Sequence, residues 1–349
     1  MPYTRPPHHL SCVLVTGGSG FIGIHLIQTL FERYGSYIQI INIDKLTYAS
    51  HPTWDTYLQT DTSLSYHFIQ GDITSQSLVQ DILETYPITS IFHCAAETHV
   101  DTSIENPGTF LYTNIWGTYS ILETLRLLCG ERKIRFLQVS TDEVYGSLSL
   151  QDTHSFTEMD QYHPNSPYSV SKASADMLVD SYVRMYSLDA IVSHSTNNFG
   201  PFQHNEKLIP TVIHCVQNKK RIPVYGTGKN IRSWIPVREH CNALLHIMNH
   251  GQSGEHYNIG IPKQRGKATT EYSNLSLIYI LLDIIAEETN ISFDELCSLL
   301  QFVPDRRGHD MKYSVNTTKL QSLGWSFEHS TYSFRQALRE TVLWYYNHS

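Results

Sequence analysis

The chain is 349 residues long, with 41% hydrophobic residues, 17% charged residues and a formal net charge of -8. That length fits one large domain or two closely associated ones, and the composition excludes a disordered or coiled-coil chain. With 33 acidic against 25 basic side chains, no nucleic-acid partner bound through phosphate neutralisation is expected, although the balance is compatible with a local basic pocket.

No run of about 18 apolar residues is available to cross a membrane, so no membrane association is expected. Residues 1–11 carry prolines and histidines in place of a signal-peptide core, and a flexible tail is expected there. The six cysteines, Cys12, Cys94, Cys129, Cys215, Cys241 and Cys297, are scattered without a CxxC pair. Free thiols in a reducing cytoplasm are expected, and no metal site.

Short apolar, β-branched runs alternate with longer amphipathic stretches. Strands are predicted over 12–16, 38–43, 67–69, 91–94, 136–140 and 190–193. Helices are predicted over 21–31, 76–85, 109–128 and 168–186. Strand and helix in alternation imply right-handed crossovers, hence a parallel sheet with helices on both faces. The rhythm changes after Asn197, where Gly200-Pro201, Ile222-Pro223, Tyr225-Gly-Thr-Gly228 and Ile261-Pro262 crowd turns together. Closing helices are predicted over 317–323 and 333–346, and the polar stretch 263–270 as a loop.

Thr16-Gly-Gly-Ser-Gly-Phe-Ile-Gly23 links the first strand to the first helix, with Gly17, Gly20 and Gly23 three residues apart. The spacing allows a tight turn, then a close backbone approach to a pyrophosphate, then close packing of helix on strand. Unpaired N–H groups at the helix start are available to the anion. Asp44, closing the second strand, can accept hydrogen bonds from an adenosine ribose and repels a 2′-phosphate, which favours NAD over NADP. In Gly71-Asp72-Ile73, Asp72 serves either the adenine edge or as a turn cap. The fold class expected is α/β: a Rossmann-type doubly wound parallel sheet over 12–196, with a return segment over 235–260. A smaller substrate-binding region is expected from 197–234 and 261–346.

Tyr168 and Lys172 stand four residues apart, one turn of a helix, on one face. A lysine beside a tyrosine stabilises the phenolate, which can then take a hydroxyl proton while hydride leaves the same carbon. Alone, such a pair is more readily a surface feature. Ser140-Thr-Asp-Glu-Val-Tyr-Gly146 changes the balance, because it follows the fifth strand at the end of the sheet where open α/β folds bind ligands.

The glycine motif, the Tyr-x-x-x-Lys pair and this segment together resemble the extended short-chain dehydrogenase/reductase family, and within it the dTDP-glucose 4,6-dehydratases. Asp44-Lys-Leu-Thr-Tyr48, Ala95-Ala-Glu-Thr-His-Val-Asp101, Pro164-Asn-Ser-Pro-Tyr168 and Asn197-Asn-Phe-Gly-Pro201 also match. So do Glu206-Lys-Leu-Ile-Pro210, Tyr257-Asn-Ile-Gly260 and Asp305-Arg-Arg-Gly-His-Asp310, and the likeness runs from about Val13 to Tyr346. It implies that Gly17, Gly20, Phe21, Ile22, Gly23, Asp44, Lys45, Thr47, Asp72, Ile73, Ala95 and Ala96 hold NAD, with Tyr168 and Lys172.

The implied reaction has no net redox change. Oxidation at C4 of a nucleotide-diphosphate sugar acidifies the C5 hydrogen, a base removes it, an acid expels the C6 hydroxyl as water, and hydride returns to C6. Two carboxyls in different surroundings can hold different protonation states at one pH. By resemblance Asp142 is the acid and Glu143 the base, and Thr141 hydrogen-bonds near the C4 oxygen. Arg232, Asn258, Arg306 and His309 resemble diphosphate contacts, and Asn197 an asparagine that reaches the same group. Pro223 and Tyr225 resemble a base-stacking slot, while Glu206 and Lys207 resemble contacts near sugar and base.

The chain departs from the pattern at Ser233, where aspartate is usual, and at Thr102 and His194, where arginine is usual. Ile261-Pro-Lys-Gln-Arg-Gly-Lys267 replaces a glycine and an Asn-Glu pair. These changes bear on the base and the sugar substituents. The alternatives are a UDP-sugar dehydratase, a 4-epimerase, which has no need of the Asp142–Glu143 pair, or a non-catalytic NAD-binding protein. The likeness also implies a homodimer through the helices over 109–128 and 168–186, whose apolar faces can equally be buried within one chain.

Overall fold

The structure, a computed structural model, describes residues 5, 7–128, 133–262, 270–306, 308–327 and 334–348. Its strands, in chain order, are β1 (Cys12–Thr16), β2 (Gln39–Asp44), β3 (Ser65–Gln70), β4 (Ser90–His93), β5 (Arg135–Thr141) and β6 (Ala190–Ser195). There follow β7 (Asn197–Phe199), β8 (Ile222–Tyr225), β9 (Ile231–Pro236), β10 (His256–Ile259), β11 (Glu271–Ser273) and β12 (Leu300–Val303).

A seven-stranded sheet has the order β10-β6-β5-β4-β1-β2-β3. Neighbouring strands from β3 through β2, β1 and β4 to β5 run parallel. β1 has β2 on one side and β4 on the other, so the chain winds outward in both directions from it. That reversal opens a crevice at the carboxyl ends of β1 and β4. β1 is buried at every position, as a central parallel strand must be. One face of the sheet packs Leu14, Ile41, Ile91, Phe136 and Val192 against Val79, Ile82, Ile121, Leu125 and Val179 of the covering helices. Each such side chain contributes about 1.5–3 kcal/mol through burial.

Helix Pro167–Tyr186 has a well-built start. The Ser166 hydroxyl accepts the Ser169 N–H, the Ser169 hydroxyl accepts the Ser166 N–H, and Pro167 takes the first turn where its missing N–H costs nothing. The predicted helix over 109–128 forms as three consecutive pieces: Pro107–Phe110, a wider π segment Leu111–Trp116, and Gly117–Leu128. Sequence periodicity cannot register the extra residue of a π turn.

The chain divides into two compact units, Met1–Val144 with Ser166–His194 and Cys241–Tyr257, and Tyr145–Asn165 with Ser195–His240 and Asn258–Ser349. The boundaries differ from those read in the sequence. Tyr145–Asn165 belongs to the second unit because it pairs with the C-terminal segment: Leu148 N–H donates to Lys312 O, Phe156 N–H to Ser314 O and Asn316 N–H to Phe156 O. Helix Val237–His250, which falls within the expected return segment, is divided between the units. The second unit has its own core, with Ile209, Val212, Val216, Leu277, Leu281, Ile285 and Leu338 buried among its helices. Its helix Asn274–Glu288, capped by Ser273, was not expected from the sequence. It also holds a β11-β9-β7 sheet and a β12-β8 pair.

The end of the expected N-terminal tail is packed: His8–Leu10 forms a short 3-10 turn and Leu10 is fully buried. Cys129, residues 263–269 of the expected loop and Ser333 of the expected closing helix lie outside the described residues, as do residues 1–4 and 6 of the tail. Among the described residues no helix is long and apolar enough to cross a membrane.

Candidate active site

The glycine loop is shaped by exclusion. Gly17 has φ +70°, and a Cβ there would stand 2.7 Å from the Ala95 backbone, so β1 and the turn after β4 meet only because this residue has no side chain. At Gly23 a Cβ would stand 2.2 Å from the Gly17 oxygen. Gly20 is different: its nearest neighbour would be the Gly17 oxygen at 3.4 Å. The protein leaves that space open. Phe21 and Ile22 begin helix Phe21–Tyr34, which has no side-chain cap and no acidic residue in its first turn. Free N–H donors and the positive end of the helix dipole are therefore available to a phosphate.

Asp44 ends β2 beside this loop. Its Oδ2 accepts the Ser19 N–H at 3.0 Å and its Oδ1 the Leu46 N–H at 2.8 Å, and the Ser19 side chain also hydrogen-bonds the carboxylate. Burial pushes its pKa up, against those three bonds. Lys45 Nζ pairs with Asp72 Oδ2 at 2.7 Å, and Asp72 Oδ1 also accepts the Thr74 N–H. Burial works against the Asp72 carboxylate, but Lys45 and the Thr74 amide hold it below its usual range. Thr47 is exposed, and Ala95 and Ala96 are half-buried in the turn after β4. The Ile73 side chain is in the core against Gly117, so only its backbone is left for a ligand. The open Gly20, the uncapped helix and the Asp44 carboxylate fit a dinucleotide.

The candidate acid–base group lies where β5 ends. Thr141 closes the strand, and Asp142–Tyr145 turn as a 3-10 helix. Tyr168, buried at the start of its helix, hydrogen-bonds the Thr141 side chain. Burial raises the Tyr168 phenol, and the Glu143 and Asp142 carboxylates add to the push while the Thr141 bond opposes it. Lys172, one turn on and buried, donates to the Val139 carbonyl at 2.7 Å. Burial lowers its pKa, and the Asp176 carboxylate counters that. The structure thus brings together Thr141, Asp142, Glu143, Tyr168 and Lys172.

Two positions of this site escaped sequence reasoning. Asn114, buried in the π segment, accepts the Glu97 N–H at 2.8 Å and donates to the Glu97 carbonyl and to Ser171 Oγ at 3.0 and 2.8 Å. It ties the turn after β4 to the residue before Lys172. Its signal was an amide inside an otherwise amphipathic helix. The other is Asp176, whose Oδ2 accepts from Ser140 Oγ at 2.6 Å.

In the second unit a cationic cluster forms. The Arg232 guanidinium lies 4.2 Å over the Tyr313 ring and donates to the Asp310 carbonyl at 2.9 Å. The Arg306 guanidinium lies 4.6 Å over the Tyr225 ring. His309 pairs with Asp305 at 2.6 Å, and burial with the Arg232 and Arg306 charges lowers its pKa despite that partner. Pro223 and Tyr225 share the half-exposed face of β8, while Ile222 and Val224 are buried. Asn197 is half-buried in β7; Glu206 and Lys207 pair with each other at 3.5 Å before helix Leu208–Gln217.

Asn258 is a correction. It is fully buried, with its side chain bonded to Tyr145 Oη, the Phe156 carbonyl and the Asn316 carbonyl, so it is a structural lock and not an anion contact.

A doubly wound sheet with a glycine loop after β1 and a buried Tyr–Lys pair beside the end of β5 defines an extended short-chain dehydrogenase/reductase. More narrowly, the chain belongs to the family described as GDP-mannose 4,6 dehydratase, whose model matches residues 14–341. It is 40% identical to the dTDP-glucose 4,6-dehydratase of Haemophilus influenzae over 345 residues, covering 95% of this chain and 97% of that protein. Among solved structures it is similar to DesIV, a dTDP-glucose 4,6-dehydratase from Streptomyces venezuelae with NAD and TYD bound. There the TM-score is 0.85 at 35% identity, over 96% of this chain and 97% of that one. The dTDP-glucose 4,6-dehydratase of Bacillus anthracis in complex with NAD gives 0.82 at 35%, over 96% of both chains.

Proposed function

We propose that the chain is an NAD-dependent lyase that converts dTDP-glucose to dTDP-4-keto-6-deoxy-glucose and water, a step of deoxysugar biosynthesis. The observation that carries this reading is that the Asp142 and Glu143 carboxylates, at the end of β5, both act electrostatically on the buried Tyr168 phenol. A 4-epimerase needs the phenol and the lysine but has no use for two carboxyls there.

Gly20, the first N–H groups of helix Phe21–Tyr34 and Asp44 would hold the dinucleotide. Bound there, NAD would supply hydride-accepting and hydride-returning chemistry, and its positive charge would oppose the upward push on Tyr168. Tyr168 takes the proton of the C4 hydroxyl, and Thr141 donates a hydrogen bond to that oxygen. Lys172 keeps the phenolate accessible by its buried charge. Glu143 removes the C5 proton, acidified by the neighbouring ketone. Asp142 delivers a proton to the C6 hydroxyl, which leaves as water. Arg232, Arg306 and His309 bind the diphosphate, where forked guanidinium donors suit phosphate oxygens. Pro223 and Tyr225 flank the base.

The chain acts as a homodimer in this reading. Leu111, Tyr112 and Trp116, and Val170, Met177 and Met185 of helix Pro167–Tyr186, are exposed apolar side chains, more than a monomer ordinarily leaves on two helices. A cytoplasmic location accords with the five described cysteines, which are free thiols.

Incubation with dTDP-, UDP-, GDP- and CDP-hexoses, followed by product mass, tests the assignment. Loss of one water from dTDP-glucose without added NAD is expected. Stoichiometric NAD consumption, or unchanged mass for every sugar nucleotide, would overturn it, and a changed sugar at unchanged mass identifies an epimerase.

A further inference from the structure

Asp176 is fully buried, one helical turn beyond Lys172. Lys172 Nζ reaches the Val139 carbonyl at 2.7 Å, and Asp176 Oδ2 accepts from Ser140 Oγ at 2.6 Å. Successive turns of one helix therefore grip successive residues of β5, directly before Thr141-Asp142-Glu143. His194 Nε2, from β6, lies 3.4 Å from the same Asp176 oxygen. Asp176 Oδ1 is buried without a hydrogen-bond partner.

A carboxylate this deep needs a cation to compensate it, and a buried ammonium needs an anion. The other groups that face Lys172 are Tyr168 on its own helix, His93 of β4, and Cys94 just after β4. Burial, with the Lys172 charge adding to it, pushes His93 down to about 3; burial pushes Cys94 up to about 12, so neither is ionised near neutral pH. Asp176 is the carboxylate that acts on Lys172.

We propose that Asp176 is a positioning residue for the catalytic lysine: its buried charge keeps Lys172 an ammonium, and its bond to Ser140 fixes the strand end that carries the acid–base pair. Only the kinetic consequence rests on the proposed dehydratase function.

Asp176→Asn removes the charge while its amide oxygen can still accept from Ser140. With isotope-labelled lysine, the Lys172 resonance (assigned through Lys172→Arg) should titrate at least about one pH unit lower in the variant than in the wild type. In turnover of dTDP-glucose, the alkaline limb of the kcat profile should move down with it while KM is unchanged. A purely structural role would not move that limb. Coincident lysine titrations in variant and wild type overturn the proposal. Should Asp176→Asn fail to fold, His194→Arg sets a fixed cation against the same carboxylate and must produce the same downward shift; coincidence there overturns it equally. If the wild type turns over no dTDP-glucose, the dehydratase reading falls, and the lysine titration still decides the role of Asp176.

Discussion

Asn258 Oδ1 accepts the hydroxyl of Tyr145 at 2.9 Å, while its Nδ2 donates to the Phe156 and Asn316 carbonyls at 3.0 and 3.3 Å. Two segments of the second unit, Tyr145–Asn165 and Asn258–Ser349, are joined through one amide. Asn258→Ala removes three hydrogen bonds from a buried site, and should lower unfolding stability by about 3 kcal/mol. Denaturant melts check this. A variant of native stability whose KM for the sugar nucleotide has risen would restore Asn258 as a ligand contact.

Gly20 and Gly23 should respond oppositely to alanine. At Gly23 the new Cβ meets the Gly17 oxygen at 2.2 Å, and overpacking should cost about 1–3 kcal/mol of stability with or without cofactor. Gly20 has φ -87° and no protein atom nearer than 3.4 Å to a Cβ, so Gly20→Ala should melt like the wild-type apoprotein. Its NAD affinity should nevertheless fall at least about tenfold, or 1.4 kcal/mol, read by calorimetry. Unchanged NAD binding in Gly20→Ala would show that the pyrophosphate does not approach there.

Glu143→Gln should keep its bound NAD and lose about a hundredfold to ten-thousandfold in kcat for dehydration. Asp142→Asn should fall by a similar factor. Product mass and cofactor content are measured on the same sample. A fully active Glu143→Gln enzyme assigns the C5 proton to another group.

Stability should fall steeply in mild acid. Burial pushes both His93 and His240 down to about 3 from an ordinary 6.5, with the Lys172 charge also acting on His93. His93 is set between the Thr16 and Thr118 hydroxyls, partners that suit a neutral ring. The folded values lie below the unfolded ones, so the unfolded chain binds the extra protons as pH drops. The stabilisation is complete above about pH 6.5 and is lost toward pH 3, at about 1.4 kcal/mol per pH unit for each ring. Urea melts across that window should show the slope, and His93→Gln should reduce it by one proton. An unchanged slope in that variant places the linkage elsewhere.

The dimer reading is tested by charge on its helices. Trp116 is 49% exposed and Met177 55%, and arginine at both positions should convert a dimer into a monomer in sedimentation. A wild-type chain that sediments as a monomer removes the proposal.

The strands β1 to β6 and the glycine loop were legible because they are local patterns. Apolar runs bounded by turns specify a buried strand, and Gly17, Gly20 and Gly23 carry their backbone demands in their spacing. Tyr168 and Lys172 were legible for the same reason, as a helix aligns residues four apart. Helix Asn274–Glu288 was not read: its apolar residues occupy more than one stripe, because it is buried among the helices of its own unit.

The amino-acid order alone thus determined the sheet, the glycine turn and which side chains are candidates for the chemistry, since each depends on neighbours within a few residues. Tertiary structure alone decided what those side chains meet. Asn258 looks like an anion contact in its motif and becomes a lock only when Tyr145, Phe156 and Asn316 close around it. Asp176 reads as an ordinary helix acid until Ser140 and His194, from two other strands, arrive beside it. Hydrogen bonds and buried charges act through space over a few ångströms, and partners so far apart along the chain leave no pattern in its order.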